Sequence, residues 1–258
     1  MLTNKGLLND KPRLLIKVKF FVLLISILLP STSSAEELIR HKEYEFASIQ
    51  FLIEQEIGRI VLPQIYKNIG IEIGITPFPG ERAQLETNQG NKDGEIMRIW
   101  SYGDENDQSV RVPTPYYYLE TVAFSLTKNK FSVESREDLK KYKLATIRGV
   151  KHTNNITKGL TNVYVMNSTE SMFKMLLNEK VDIVLTNSLD GEVILKKLGL
   201  EHKVTGAKPL ATLPLYHYIN QKNRKLVPLI NAEILSIRNN GVLDNMISRA
   251  EQIVIAKN

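Results

Sequence analysis

Apolar residues recur at three- and four-residue spacing through 46–69, where Ile49, Ile53, Ile57, Ile60, Val61 and Ile65 share one face of a predicted helix. Pro63 is expected to kink or split that helix, and Gly70 to stop it. The period then changes to two over Ile71-Glu-Ile-Gly-Ile75, which reads as a strand. The prolines of 76–80 mark a loop, and 81–88 a short helix. Residues 94–99 follow as a short apolar strand that carries two charges, Glu95 and Arg98. The polar stretch 101–110 reads as a loop. Val112-Pro-Thr-Pro115 forces extended backbone ahead of Tyr116, Tyr117 and Tyr118, and 120–126 is a strand.

A second unit repeats this alternation. Ser135-Arg-Glu-Asp138 has the form of a capping box for a short helix. Strands are predicted at 144–147, 163–166 and 181–185, with helices at 153–159, from Asn167 through a core stripe of Met172, Met175 and Leu176, and at 190–198. An aromatic strand at 213–219 precedes helices at 224–239 and about 242–252. Strand and helix in alternation imply an α/β fold with mainly parallel sheet and right-handed crossovers. One short echo links the two units: helix, Asn88, Asp93, strand in the first, and helix, Asn178, Asp182, strand in the second.

The first 35 residues stand apart. A basic lead (Lys5 to Lys19), an apolar run from Phe20 to Leu29 and small residues at Ser33 and Ala35 form the three-part layout of a secretory signal peptide, cleaved after Ala35. The apolar run is shorter than the ~20 residues a spanning helix needs. This segment carries five of the 34 Lys and Arg and one of the 28 Asp and Glu, so it accounts for most of the formal charge of +6. The remainder is nearly neutral and offers no basic field for nucleic acid. The chain has no Cys, so its core must hold without disulfides. The four histidines, His41, His152, His202 and His217, have no metal-ligand spacing, and no cofactor or metal is expected.

In this order the residues resemble the family 3, amino-acid-type periplasmic solute-binding proteins of bacterial uptake systems. The matching phrases are Asn88-Gln-Gly-Asn-Lys-Asp93-Gly94-Glu95, Val112-Pro-Thr-Pro115-Tyr116-Tyr117, Arg136-Glu-Asp138-Leu139 with Ile147-Arg148-Gly149, and Leu176-Leu-Asn-Glu-Lys-Val181-Asp182-Ile-Val. The resemblance implies a type 2, two-lobed α/β fold, each lobe a mainly parallel sheet flanked by helices and joined by two hinge strands. Lobe 1 would comprise 43–119 plus 220–258, lobe 2 would comprise 129–210, and the hinges would lie at about 120–128 and 211–219. It also implies a monomer in the periplasm that clamps a small molecule and works with an inner-membrane ABC permease or a sensor kinase. Three departures stand out. The family's first strand is absent or reduced to about 43–46. The Arg that usually forks an amino acid's carboxylate is replaced by the acidic run Asp104-Glu105-Asn106-Asp107. Asn187 stands where an Asp usually holds the amine.

With that clamp altered, Arg98 is the leading anion anchor, because a guanidinium pairs bidentately with a carboxylate. Its bland alternative, an ion pair with Glu95, is disfavoured because three-residue spacing puts the two on opposite faces of a regular strand. Arg148, Gly149, Lys151 and His152 lie at a strand's carboxyl end ahead of a helix, where open α/β sheets bind ligands. Tyr116, Tyr117 and Tyr216 are candidates to stack on a ligand, and Asn187 and Ser188 to hydrogen-bond it, although alternating tyrosines also serve as packing and Ser188 is a good helix cap. Arg82 is the weakest candidate, and Trp100 reads as packing. The expected function is a non-enzymatic receptor for a small polar, anionic or zwitterionic ligand. A sensory module and a small lyase or dehydratase using Glu95 and His152 are the alternatives.

Overall fold

The computed structural model describes residues 43–258; the expected signal peptide over 1–35 lies outside them. Strand β1 spans Tyr44–Ile49 and is followed by helix α1 (Ile53–Asn68). The sequence pattern had placed the helix from 46. Phe46 to Ile49 are all buried, as in a strand covered on both faces, so they carry no period-two signal. The four-residue interval between Ile49 and Ile53 spans a tight turn at Phe51 (φ 62°), not a turn of helix. The first strand is therefore present in full. Helix α1 continues through Pro63 without a break, and Ile57, Val61, Leu62 and Ile65 are fully buried along it. Each such side chain contributes about 1.5–3 kcal/mol of hydrophobic stabilisation.

The chain then forms β2 (Ile73–Phe78), α2 (Gly80–Asn88) and β3 (Gly94–Ile99). The polar stretch after β3 holds a short helix α3 (Ser101–Asp104) and strand β4 (Ser109–Arg111). Strand β5 (Tyr117–Leu126) leads to a capped 3-10 turn at Arg136–Lys141, whose capping box between Ser135 and Asp138 is formed. Next come β6 (Leu144–Ile147), α4 (Lys151–Thr157), β7 (Val163–Met166), α5 (Thr169–Leu177) and β8 (Ile183–Asn187). Helix α6 (Ser188–Lys197), the short strand β9 (Val204–Gly206), β10 (Ala211–Asn220), α7 (Leu226–Asn239) and α8 (Val242–Lys257) complete the chain.

The strands form a curled sheet in the order β2-β1-β3-β10-β5-β8-β6-β7. Its two ends are built alike. β1 is parallel to β2 and β3, and β6 is parallel to β7 and β8, so each half is a βαβαβ unit. The antiparallel strands β5 and β10 join the halves. β10 pairs with β5 over Ala211–Leu215 and with β3 over Leu215–Ile219, while β5 pairs with β8 from Thr121 onward.

The echo between the halves is structural. Ahead of β3, the Asp93 N–H donates to the Glu45 carbonyl (2.6 Å) and its carboxylate accepts the Glu45 N–H (2.8 Å). Ahead of β8, Asp182 makes the same two bonds with Lys143, both at 2.8 Å. Three residues before each Asp the backbone turns through positive φ, at Gly90 (77°) and at Glu179 (55°). Each Asp thus ties its own strand to the start of the parallel neighbour and sets their register. Met172 and Leu176 are buried in the second half's core, as expected, and Ile49 and Leu52 of the first half reach into that core. Among the described residues, no helix is long and apolar enough to cross a membrane.

Candidate functional site

Strand β3 is not regular. It advances three residues, from Glu95 to Arg98, where β10 advances two between Tyr218 and Tyr216. The extra residue is a β-bulge in which Met97 adopts φ 47°. Tyr216 and Tyr218 share a face of β10, so their partners Arg98 and Glu95 also share one. This overturns the expectation that the two charges would point apart, which assumed a regular strand. Arg98 Nε lies 3.6 Å from Glu95 Oε2 in a buried pair. The bulge is held from both sides. The Met97 N–H donates to the Tyr116 hydroxyl (3.1 Å), and Gln55 Nε2 donates to the Met97 carbonyl (3.1 Å).

The pair is nearly sealed from water: Arg98 is 3 % exposed and Glu95 0 %. The Tyr102 hydroxyl donates to Glu95 Oε1, and the Arg98 guanidinium lies 4.5 Å from the Tyr102 ring centre. Burial pushes the Glu95 carboxyl up, and Arg98 and Tyr102 partly offset that shift. Among the described residues, Arg98 Nε and Nη2 and Glu95 Oε2 are buried with no hydrogen-bond partner. Arg98 lines a cavity of about 20 Å3 together with Glu54, Gln55, Lys151, His152 and Leu215. This cavity lies between the halves, at the carboxyl ends of β1 and β3.

The halves touch around it. The Gly80 and Gly149 backbones are in contact. A Cβ on Gly149 would fall 2.7 Å from the Glu81 nitrogen, and Gly149 has φ 76°, so the approach requires glycine twice over. Asn187 Nδ2 donates to Glu54 Oε2 (2.7 Å), Asn155 Nδ2 donates to Ser101 Oγ (2.8 Å), and Lys151 forms an ion pair with Glu105. Glu54 also lies close to Asp190, whose carboxylate accepts hydrogen bonds from the Thr169 and Thr186 hydroxyls and the Ile53 N–H. Burial raises both carboxyls, and their mutual repulsion adds to the rise at Glu54, which is pushed up to about 8.

The structure brings Arg98, Glu95, Lys151 and His152 together. His152 is buried, its Nδ1 paired with the Thr121 hydroxyl (2.8 Å), and burial lowers its pKa to about 4, so the ring is neutral. Tyr216 lies beside Arg98 on β10 and meets Trp100 edge-on, with ring centres 5.8 Å apart. The other candidates do not line the Arg98 cavity. Tyr116 is a core residue that holds the bulge. Tyr117 donates to Glu251 on α8 (2.9 Å), away from the Arg98 cavity. Arg148 is exposed, and Arg82 is exposed and paired with Glu86 (2.5 Å). Asn187 is the helix cap in place of Ser188, accepting the Asp190 N–H (2.8 Å). Ser188 lines a groove with Glu120, whose side chain points to the opposite face of β5 from Leu119 and Thr121.

Glu54, Gln55 and Asp190 escaped the sequence reading. The signal for the first two was the strand at 44–49, since recognising it would have put the start of α1 at a strand's carboxyl end. Trp100 was expected to be packing but is 53 % exposed, with the Arg111 guanidinium 3.0 Å from its ring centre. Among the described residues, no group of three or more His, Cys, Asp or Glu is placed to hold a metal ion.

No family model matches the chain. A Shewanella oneidensis protein of uncharacterised function is 25% identical over 204 residues, covering 75% of each chain. Among solved structures, the chain is similar to an amino-acid ABC transporter substrate-binding protein of Streptococcus pneumoniae bound to L-arginine. The TM-score is 0.66 at 13% identity, over 85% of this chain and 99% of that one. It is also similar to a histidine kinase sensor domain with similarity to periplasmic binding proteins, with a TM-score of 0.71 at 15% identity over 81% and 96%. A third is the substrate-binding protein of an amino-acid ABC transporter, with a TM-score of 0.64 at 14% identity over 81% and 98%. The chain therefore has the two-lobed α/β fold of the periplasmic solute-binding proteins, as its resemblance implied.

Proposed function

We propose that this chain is an exported receptor that closes two lobes over a small polar ligand and seats the ligand's negative group on Arg98. One observation carries the reading: a guanidinium buried between the halves, with Nε and Nη2 lacking an acceptor among the described residues. Such a group is costly to leave unsatisfied, and a ligand carboxylate would satisfy it through two parallel hydrogen bonds. Lys151 and the neutral His152 stand beside that position. The contacts between the halves combine side-chain bonds, the Gly80–Gly149 backbone approach and the packing of Ile49 and Leu52 into the second core, and a bend in β5 and β10 would break and remake them. On this reading lobe 1 is 43–119 plus 220–258, lobe 2 is 129–210, and the hinges lie near 120–128 and 211–219. The ligand is anionic or zwitterionic, and the chain is exported on its first 35 residues. It binds without turnover, as a monomer, and hands its ligand to a membrane importer.

Calorimetry against a panel of small carboxylates and amino acids tests this reading. A ligand should bind the wild type, and Arg98→Ala should weaken it at least about 100-fold, the scale of losing a charge-assisted pair. Unchanged affinity in Arg98→Ala would reject the assignment. A second reading, a sensory module of a membrane kinase, is favoured by the direct contact of the halves around so small a cavity, and by the likeness to a kinase sensor domain. Reconstitution with a permease or a kinase from the same cell separates the two.

A further inference from the structure

A second cavity, of about 400 Å3, lies between the halves next to the Arg98 position. Ile99 and His152 line both spaces, so the two are immediate neighbours. They also share a floor. Leu119 and Leu215 underlie the small cavity, and Thr121, Ala211 and Leu213 the large one. These are alternate residues of β5 and β10 and so lie on one face of the strand pair. Trp100 forms a wall from one half and Ile156 from the other.

The lining is apolar where it is free. Among the described residues that line it, none carries a formal charge, and two of its polar contacts are already made within the protein. His152 Nδ1 is paired with the Thr121 hydroxyl, and Asn155 with Ser101. A charged or strongly polar tail placed here would lose its water without compensation, whereas an apolar one would gain. The volume falls in the range of small-ligand pockets, which are mostly apolar with a few converging polar groups. The half-exposed Trp100 supplies an aromatic surface, backed by the Arg111 guanidinium.

We infer that the ligand is a small carboxylate with an aromatic or branched apolar tail, its head on Arg98 and its tail against Trp100, Ile156 and Leu213. The inference rests on the reading of Arg98 as an anion seat and adds the class of molecule. It separates this chain from a receptor selecting a charged side chain, for which this cavity has no counter-charge.

The test compares matched probes by calorimetry on the chain from residue 36 onward: propionate against 3-phenylpropionate, and glycine against L-phenylalanine. In each pair the tailed probe should bind the wild type about tenfold more tightly or better, the scale of burying a phenyl group. Trp100→Ala and Ile156→Ala should each erase much of that advantage while leaving any binding of the short probe unchanged. Trp100 is exposed and Ile156 only partly buried against a core cluster, so a thermal melt checks that each variant folds. Equal affinity for short and tailed probes, or an undiminished advantage in both variants, would overturn the inference and leave the anion seat standing. Binding of all four probes that survives in Arg98→Ala would overturn the seat itself. Failure of every probe to bind the folded wild type would count against both.

Discussion

Strands β3 and β8 occupy matching places in the two halves, and they differ in a way that explains the site. Each follows a helix and a positive-φ turn, and each is entered through an aspartate that exchanges two hydrogen bonds with the neighbouring parallel strand. From there they diverge. β8 stays regular and apolar through Ile183, Val184 and Leu185, and places its polar groups, Thr186 and Asn187, at its end. β3 carries Glu95 and Arg98 within the strand and bulges at Met97 to turn both to one face. A shared entry motif secures register, and irregularity inside one copy creates a buried charge cluster beside the cleft. Regularity in the other copy leaves a scaffold.

The sharpest way to break this contrast is to remove one charge from β3. Glu95→Ala leaves Arg98 buried without its counter-charge and should cost about 3 kcal/mol or more in urea unfolding. Replacing both, as Glu95→Leu with Arg98→Met, should recover most of that loss, because a well-packed apolar pair avoids the desolvation of two ions. A double variant as unstable as the single one would show that the bulge itself requires the charges.

The entry motifs come next in size. Asp93 also accepts from Asn223 Nδ2 (2.6 Å) and pairs with Lys222 (3.1 Å). Asp93→Ala should therefore cost about 2 kcal/mol, and Asp182→Ala nearer 1 kcal/mol. Equal losses would mean that the Lys222 and Asn223 contacts contribute little. Burial alone would raise the Asp93 pKa, but the Glu45 N–H, Lys222 and Asn223 outweigh it and hold the carboxyl below its usual range. Its stabilisation is thus present above the ordinary aspartate pKa and is lost as pH falls through the lowered folded value. Asp93→Asn should flatten the acid limb of the stability curve.

Glu54 has the opposite sign. A carboxyl whose folded pKa is raised binds its proton more tightly when folded, so stability falls as pH climbs from the ordinary glutamate range towards about 8. Glu54→Gln keeps the contact with Asn187 and should flatten that fall in thermal melts between pH 5 and 8. An unaltered slope would move the titration to Asp190. The smallest effect belongs to Tyr116→Phe, which removes the hydroxyl that accepts the Met97 N–H and should cost about 1 kcal/mol. If it costs nothing, the bulge is held by Gln55 alone.

Much of this molecule was legible as pattern. The alternation of strand and helix, the helix of Met172 and Leu176, the capping box at Ser135 and the Asn–Asp echo all depend on local spacing and short side-chain reach, which a linear sequence carries. The oddity of Glu95 and Arg98 in an apolar strand was also visible. Strand β1 was not, because a strand buried on both faces has no alternation and its last isoleucine falls in step with the next helix. The pairing of Glu95 with Arg98 was not either, because a bulge is defined against the partner strand, and β10 lies more than a hundred residues further along the chain. Nor could spacing show that Glu54 would meet Asn187, or that Trp100 would stand open beside a cavity. By itself, the sequence determined most of the elements, the two-part plan and the unusual charges. Only the tertiary structure decided which charges face each other and what surrounds them, since burial and strand register arise when distant segments come together.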